Sequence, residues 1–383
     1  MGATNNWQRI VVLPRNEPST AVALSPDGTF AALDVTTFGP YMTMTSMIEV
    51  REVESAKVIA SYTLPTVSDK AWALETKQVQ YCDSGKYLLV SDRVAHIVVL
   101  DTKTYQPHFS IDLDGISSSV ATTGATSMSS VSVWSACAAS GKIAILYLTG
   151  GKFGWGTIKV VDLETAGEIP GMEGTSDAVK LTGMANFTSV AVSPSGWWVA
   201  MLAGDSVLVV DLRTRSVSQT ISLRPDEFPN PNRVSFAGDF AIYVSTYPSV
   251  EKPFTRLWDV RTGSEIRAFG DTSDGAYGSF GVSADGHTVF GYTEKISICA
   301  TCRNGNGSSR AKLAHFTLWN RDTGTVIAQS PAIRLIHHRC WTVLWGARED
   351  FDEGPDLEIS QTGKVVAVTW QAMTEPVRIF RLK

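Results

Sequence analysis

Two hydrophobic patterns alternate along the 383-residue chain. The first is a short apolar run, a turn containing Gly, and a second apolar run. It is clear in ALSPDGTFAAL (23 to 33), YCDSGKYLLV (81 to 90), AVSPSGWWVAML (191 to 202), GVSADGHTVFGY (281 to 292) and EISQTGKVVAVT (358 to 369), with weaker copies at 136 to 147 and 235 to 244. The second is an apolar strand ending in an acidic or polar residue, a turn that often holds Thr-Gly, and another strand, as in TRLWDVRTGSEI (255 to 266) and FTLWNRDTGTVI (316 to 327). Copies of this second pattern start at 48, 97, 158, 207, 255, 316 and 377. Pro-Asp-Gly and Thr-Gly supply the fixed φ and the positive φ that tight reversals need, so each period predicts four short antiparallel strands.

Seven such periods predict seven small sheets arranged radially, because a four-stranded sheet of this kind must bury both faces against its neighbours. The patterning resembles the WD-repeat and YVTN-type seven-bladed β-propellers over nearly the whole chain. The resemblance implies an all-β, seven-bladed β-propeller with four-stranded antiparallel blades, one domain over residues 1–383. The last repeat holds only three strands, and WQRIVVL (7 to 13) precedes the first repeat. Strand 7–13 is therefore expected to complete the blade formed by 356–383 and close the ring, which removes two exposed edges. The chain departs from the WD-repeat pattern in its dipeptides. Only Trp258-Asp259 keeps the Trp-Asp pair, and the only Gly-His, Gly286-His287, falls inside a turn where a solvent-exposed His is expected.

In a four-stranded up-and-down blade, the first-to-second and third-to-fourth turns share one face of the ring, and the remaining connections share the other. The first set is short. The second set includes 35 to 46, 65 to 77, 112 to 129, 149 to 156, 171 to 187, 246 to 253, 293 to 314 and 330 to 356. Loops on a rigid scaffold are where binding concentrates, so the long-loop face is the expected site for a protein or small-molecule ligand. Its aromatic candidates are Tyr41, Phe153, Trp155, Trp341 and Trp345, which either pack the loops onto the blades or form the binding surface.

Composition narrows the function classes. Hydrophobic residues make up 44% and charged residues 19%, with 31 Gly and 16 Pro, which fits a folded, turn-rich chain. A net charge of -5 with scattered Lys and Arg gives no footprint for nucleic acid. No apolar run has the length of a membrane span, and the first residues lack the regions of a signal peptide. A monomer is expected. Modest charge and eleven Trp lean towards an extracytoplasmic protein.

Candidate chemistry concentrates near the sixth repeat. Cys299, Cys302, His337, His338 and Cys340 are zinc-type ligands, although their spacing is irregular for a known zinc site. A disulfide from Cys340 to Cys299 or Cys302, or free thiols, fits the same residues. Cys82 and Cys137 fall in strands and read as buried apolar residues. Glu349, Asp350, Asp352, Glu353 and Asp356 offer oxygen ligands to calcium but lack the spacing of a known calcium loop and read as a solvated acidic stretch. Met42, Met44 and Met47 read as a strand with Met facing inward. No nucleophile elbow and no phosphate-binding Gly-rich loop is present. These features favour a non-enzymatic binding or protein-interaction propeller. The alternatives are a hydrolase or lactonase-like propeller with a metal-assisted site at the channel mouth, whose inward-facing Asp, Glu, His or Asn residues would converge there, and an electron-transfer propeller related to quinoprotein dehydrogenases.

Overall fold

The computed structural model describes residues 7–13, 21–38, 44–64, 76–92, 96–112, 132–149, 157–167, 169, 189–223, 231–246, 255–270, 276–283, 285–304, 307–330, 333–336, 356–369 and 377–382. Seven antiparallel sheets succeed one another along the chain and are numbered here as blades 1 to 7. Blade 1 comprises Val22–Leu24, Phe30–Phe38, Met44–Glu52 and Val58–Thr63, and blade 2 comprises Thr76–Cys82, Tyr87–Asp92, His96–Asp101 and Gln106–Asp112. Blade 3 has three described strands, Ser132–Cys137, Ile143–Thr149 and Thr157–Asp162, with Ile169 N donating to Val160 O at 2.8 Å where a fourth would start. Blade 4 runs Ser189–Val192, Trp198–Ala203, Ser206–Asp211 and Ser216–Ser222, and blade 5 runs Pro231–Phe236, Ala241–Thr246, Thr255–Asp259 and Glu265–Phe269. Blade 6 holds Ala276–Val282, Thr288–Asn304, Gly307–Asn320 and Val326–Gln329, and Ile333–Ile336 adds a fifth strand beside Gly307–Asn320. Blade 7 holds Asp356–Ile359, Val365–Thr369 and Val377–Leu382, and its fourth strand is Trp7–Leu13, registered from Trp7 opposite Leu382 to Leu13 opposite Val377. The ring closes as the sequence predicts.

One hydrogen-bonding device makes the first turn of four blades. Ser25, Ser193, Ser283 and Ser360, all buried, accept from the backbone N–H five residues on, of Phe30, Trp198, Thr288 and Val365. The Ser hydroxyl meets the side-chain oxygen two residues on, Asp27 at 2.6 Å and Asp285 at 2.6 Å being the shortest. Gly at φ 74, 84, 70 and 70 (Gly28, Gly196, Gly286, Gly363) then reverses the chain. The third-to-fourth turn uses the acidic residue that ends the third strand. Asp101, Asp162 and Asp259 each accept two backbone N–H groups of the turn through Oδ1, and Asn320 does so through its amide oxygen. Both turn types therefore fold from local side-chain-to-backbone bonds written in the repeat.

Packing follows strand position. In blade 4 the second and third strands are buried at every residue, whereas Ser216–Ser222 alternates exposed positions with partly buried ones and the buried Ile221. Inner strands are covered on both faces and read as apolar runs, and the outer strand keeps one wet face. Seven apolar clusters each join two blades. One of them unites Val22, Leu24, Ala31 and Leu33 of blade 1 with Val365, Ala367 and Ile379 of blade 7.

Three expectations are corrected. Residues 293 to 314 are not a loop but a long hairpin, in which Thr288–Asn304 pairs with Gly307–Asn320 from Thr288 opposite Asn320 to Asn304 opposite Gly307. Alternating residues such as Lys295, Ile296, Ser297 and Ile298 suit an extended strand as well as a loop. Met47 does not face inward. It is partly exposed while Ser46, Ile48 and Val50 are buried, because Ser46 donates to the buried Asp34 carboxylate at 2.7 Å and fixes the strand's register. Third, Cys82 and Cys137 are not separate apolar residues but form a disulfide with a Cα–Cα distance of 5.7 Å.

Candidate functional site

The described part of the ring brings polar chemistry together at one place, the channel mouth on the tight-turn face. The first turns of successive blades are bonded edge to edge there. Asp83 N donates to Ala138 O at 3.2 Å, Ser140 Oγ to Pro194 O at 2.9 Å, Ser195 N to Asp239 Oδ1 at 3.0 Å and Thr362 N to Pro26 O at 3.3 Å. Between blades 5 and 6 the buried Tyr243 hydroxyl donates to Gly286 O at 3.2 Å. Gly286 also lies so close to Ala237 that a Cβ there would sit 2.4 Å from its backbone. Gln361 Nε2 donates across the mouth from blade 7 to Ala139 O of blade 3 at 3.2 Å.

These turns enclose a cavity of about 580 Å³ lined by residues of six blades, among them Asp27, Ser140, Asp239, Asp285, Gln361 and Thr362. That volume lies in the range of small-ligand sites. Among the described residues, three carboxylates line it and no Lys or Arg does. Burial pushes the Asp27 carboxyl up, but bonds from Ser25 Oγ and from Thr29 N and Oγ1 outweigh it and hold the group below its usual value. A carboxylate so held is a fixed negative charge rather than a proton donor poised near neutrality. The arrangement is thus suited to accepting hydrogen bonds and positive charge.

The position that follows the turn Gly, or in blade 5 follows Asp239, is exposed in all seven blades: Thr29, Lys86, Lys142, Trp197, Phe240, His287 and Lys364. Each backbone carbonyl accepts from the residue just after the third strand, or in blade 7 from Leu382 at that strand's end. Trp197 and Phe240 are 50% and 51% exposed on the two turns that contribute Pro194, Gly238 and Asp239 to the cavity. Arg261 lies over the Phe240 ring at 5.3 Å and pairs with Asp259. His287 is exposed, as expected for a His inside a turn, and pairs with Asp322 at 3.4 Å.

The disulfide sits at the buried joint between the innermost strands of blades 2 and 3. Cys82 and Cys137 are 0% and 2% exposed, and Gln80 brackets the bond by donating to Cys137 O and accepting from Cys137 N, both at 3.3 Å. Its signal in the sequence was that both Cys close the first strand of consecutive repeats, which places them side by side once the blades are radial.

Most residues singled out from sequence fall elsewhere. Tyr41, Phe153, Trp155, His337, His338, Cys340, Trp341 and Trp345 lie outside the described residues, as do Met42, Glu349, Asp350, Asp352 and Glu353. Cys299 and Cys302 fall within the strand Thr288–Asn304, and Asp356 begins the strand Asp356–Ile359; their side chains lie outside the described set. Among the described residues no three His, Cys, Asp or Glu side chains are grouped to hold a metal ion. Sequence reasoning missed the cavity because its lining comes from turns of six different repeats.

No known family profile matches the sequence, and no curated protein matches it. Among solved structures, the chain is similar to the β-propeller domain of Myceliophteria thermophila Cps50 (Swd1), with a TM-score of 0.61 at 12% identity, covering 98% of this chain and 100% of that one. It is also similar to a chain of the mitotic checkpoint complex, with a TM-score of 0.58 at 11% identity, covering 98% and 91%. At such identities the likeness concerns backbone architecture alone. By fold, the chain is a seven-bladed β-propeller.

Proposed function

We propose that this chain is a non-enzymatic interaction propeller, a monomer that binds a protein partner on the face opposite the tight turns. The observation that supports this reading is the unequal length of connections on the two faces. On the tight-turn face the first-to-second connections are 25–29, 83–86, 138–142, 193–197, 237–240, 283–287 and 360–364. On the other face the chain between blades runs through 64–75, 113–131, 223–230, 270–275 and 337–355, and the second-to-third connections include 150–156, 247–254 and 370–376. Added length on a rigid scaffold is where recognition is built. Tyr41, Phe153, Trp155, Trp341 and Trp345 are the contact residues we assign to this surface, since aromatic side chains give much contact area for little entropy cost.

The test is site-specific photo-cross-linking in an extract of the source organism, with the reactive group at Trp155 or Trp345 and, as control, at Lys103 on the tight-turn face. A discrete protein adduct from the first two positions and not from the third is expected. Equal labelling from all three, or an adduct from Lys103 alone, refutes the assignment.

A further inference from the structure

We infer that the channel mouth on the tight-turn face is a second docking site, one that takes a Lys or Arg side chain of a partner protein together with an apolar neighbour of that side chain. The inference goes beyond the function proposed above, because it concerns the opposite face and shares no residue with it.

Three features of different kinds meet at this mouth. The first is space, a cavity of about 580 Å³ open to solvent at the ring's axis. The second is negative charge. Asp27, Asp239 and Asp285 come from three blades, no cationic side chain is among the described residues that line the cavity, and Arg213 acts on Asp239 from outside that lining. Both Asp27 oxygens serve their own turn. Asp239 uses Oδ1 for Ser195 N, and Asp285 uses Oδ1 for Ser283 Oγ and His287 N, so these turn bonds leave each Oδ2 aside. A carboxylate oxygen left aside by its turn can accept from a guanidinium or an ammonium. The third is apolar surface. Trp197 and Phe240 stand half-exposed on the same two turns, although neither side chain is needed for the turn, whose bond is made by the backbone carbonyl. Large exposed aromatic residues beside a polar pocket mark recognition sites.

The occupant follows from complementarity. A metal ion is disfavoured by geometry, since the three carboxylates do not form a group able to hold one. An acidic or phosphorylated partner would meet like charge. A basic residue flanked by an aliphatic one fits both halves, with the cation at Asp239 and Asp285 and the aliphatic group against Trp197 and Phe240. The stitched turns make the mouth pre-organised, so little ordering is required on binding.

Fluorescence anisotropy with the labelled, capped peptide Ser-Leu-Arg-Leu-Ser tests the inference, beside the same peptide with Gln in place of Arg. The variants are Asp239→Asn/Asp285→Asn, in which each Asn keeps an acceptor oxygen for its turn, and Trp197→Ser, which changes an exposed side chain. We expect saturable binding of the Arg peptide, at least tenfold weaker binding of the Gln peptide, and at least tenfold loss of Arg-peptide binding in the Asp variant with the Gln peptide unaffected. Trp197→Ser should weaken both peptides. Binding should also weaken as salt is raised. Absence of saturable binding below about 1 mM, equal affinity for the two peptides, or unchanged affinity in both variants overturns the inference. Displacement of the peptide by spermidine at concentrations below the peptide's own Kd would assign the site to free polyamines and overturn the protein-partner reading.

Discussion

Removing the Cys82–Cys137 disulfide should lower stability without abolishing the fold. The bond joins residues 55 apart. In the chain-entropy treatment a closed loop of that length restricts the unfolded chain by about 14 cal/mol/K, or about 4 kcal/mol at 25 °C. The folded joint has other support, since Tyr87, Leu89, Val99, Ala144, Val161 and Leu163 pack around the bond and remain in its absence. Cys82→Ala/Cys137→Ala is therefore expected to fold and to lose up to about 4 kcal/mol in urea denaturation followed by Trp fluorescence, with a somewhat larger m because the unfolded chain is less constrained. Thiol labelling gives an independent check. Of five Cys, Cys82 and Cys137 are paired, so no more than three should react in denaturant without reductant. In the native state the pair is buried, so mild reductant should act only as fast as the joint opens. Five reactive thiols in unreduced protein, or a stability loss under about 1 kcal/mol, would refute the reasoning.

Other perturbations separate local strain from inter-blade contact. Gly286→Ala adds a Cβ that would sit 2.4 Å from Ala237 backbone, whereas Gly204→Ala at φ 55 meets nothing within 4 Å. The second should cost about 1 kcal/mol for its left-handed backbone and the first at least about 2 kcal/mol more, as read from paired thermal melts; equal losses would show that the blade 5–6 joint relaxes freely. Deleting residues 1 to 14 removes the strand paired with Val377–Leu382 and should give aggregation on a sizing column, while a monomer with unchanged melting would disprove closure. On acidification, Asp27, Asp162, Asp211 and Asp259 all titrate below 3.8 in the folded chain. Their stabilisation is complete above the unfolded value and is lost as pH falls through the folded values, so the melting temperature should hold from neutrality to about pH 5 and drop below about pH 4. Asp211→Asn should flatten that drop, and a profile unchanged by the substitution would remove the Arg213 pairing as a cause.

What the sequence disclosed depended on whether the information was local. The turns were legible because Ser25, Asp27 and Gly28 or Asp259, Thr262 and Gly263 act within a few residues of one another. The closure by Trp7–Leu13 was legible because a strand without a repeat and a repeat lacking a strand imply each other. The disulfide was not, since buried Cys residues in strands look alike until the radial order sets Cys82 against Cys137. Residues 293 to 314, the far part of the hairpin built from 288 to 320, read as a loop because strand length beyond the blade carries no special periodicity. The acidic mouth was illegible for a related reason. Asp27 and Asp285 were visible as turn residues, and only the ring shows that six turns share one cavity.

The exposed position after the turn Gly indicates where this propeller is free to vary. Its backbone carbonyl closes the blade in every repeat, so the main chain there is fixed by the fold. Its side chain is Thr, Lys, Lys, Trp, Phe, His and Lys around the ring and its contacts differ, with Lys86 and Lys142 on Glu164, His287 on Asp322 and Phe240 under Arg261. A position whose backbone is constrained and whose side chain is not can change identity with little effect on stability. The occurrence of two large aromatics on adjacent blades, Trp197 and Phe240, among three Lys, a His and a Thr is then not explained by the turn. Half-exposed Trp and Phe lower solubility, and although Arg261 lies over the Phe240 ring, the turn needs neither aromatic side chain, so their place together on turns that line an acidic cavity calls for another reason. That juxtaposition is the physical ground for looking to the tight-turn face as well as to the longer connections opposite.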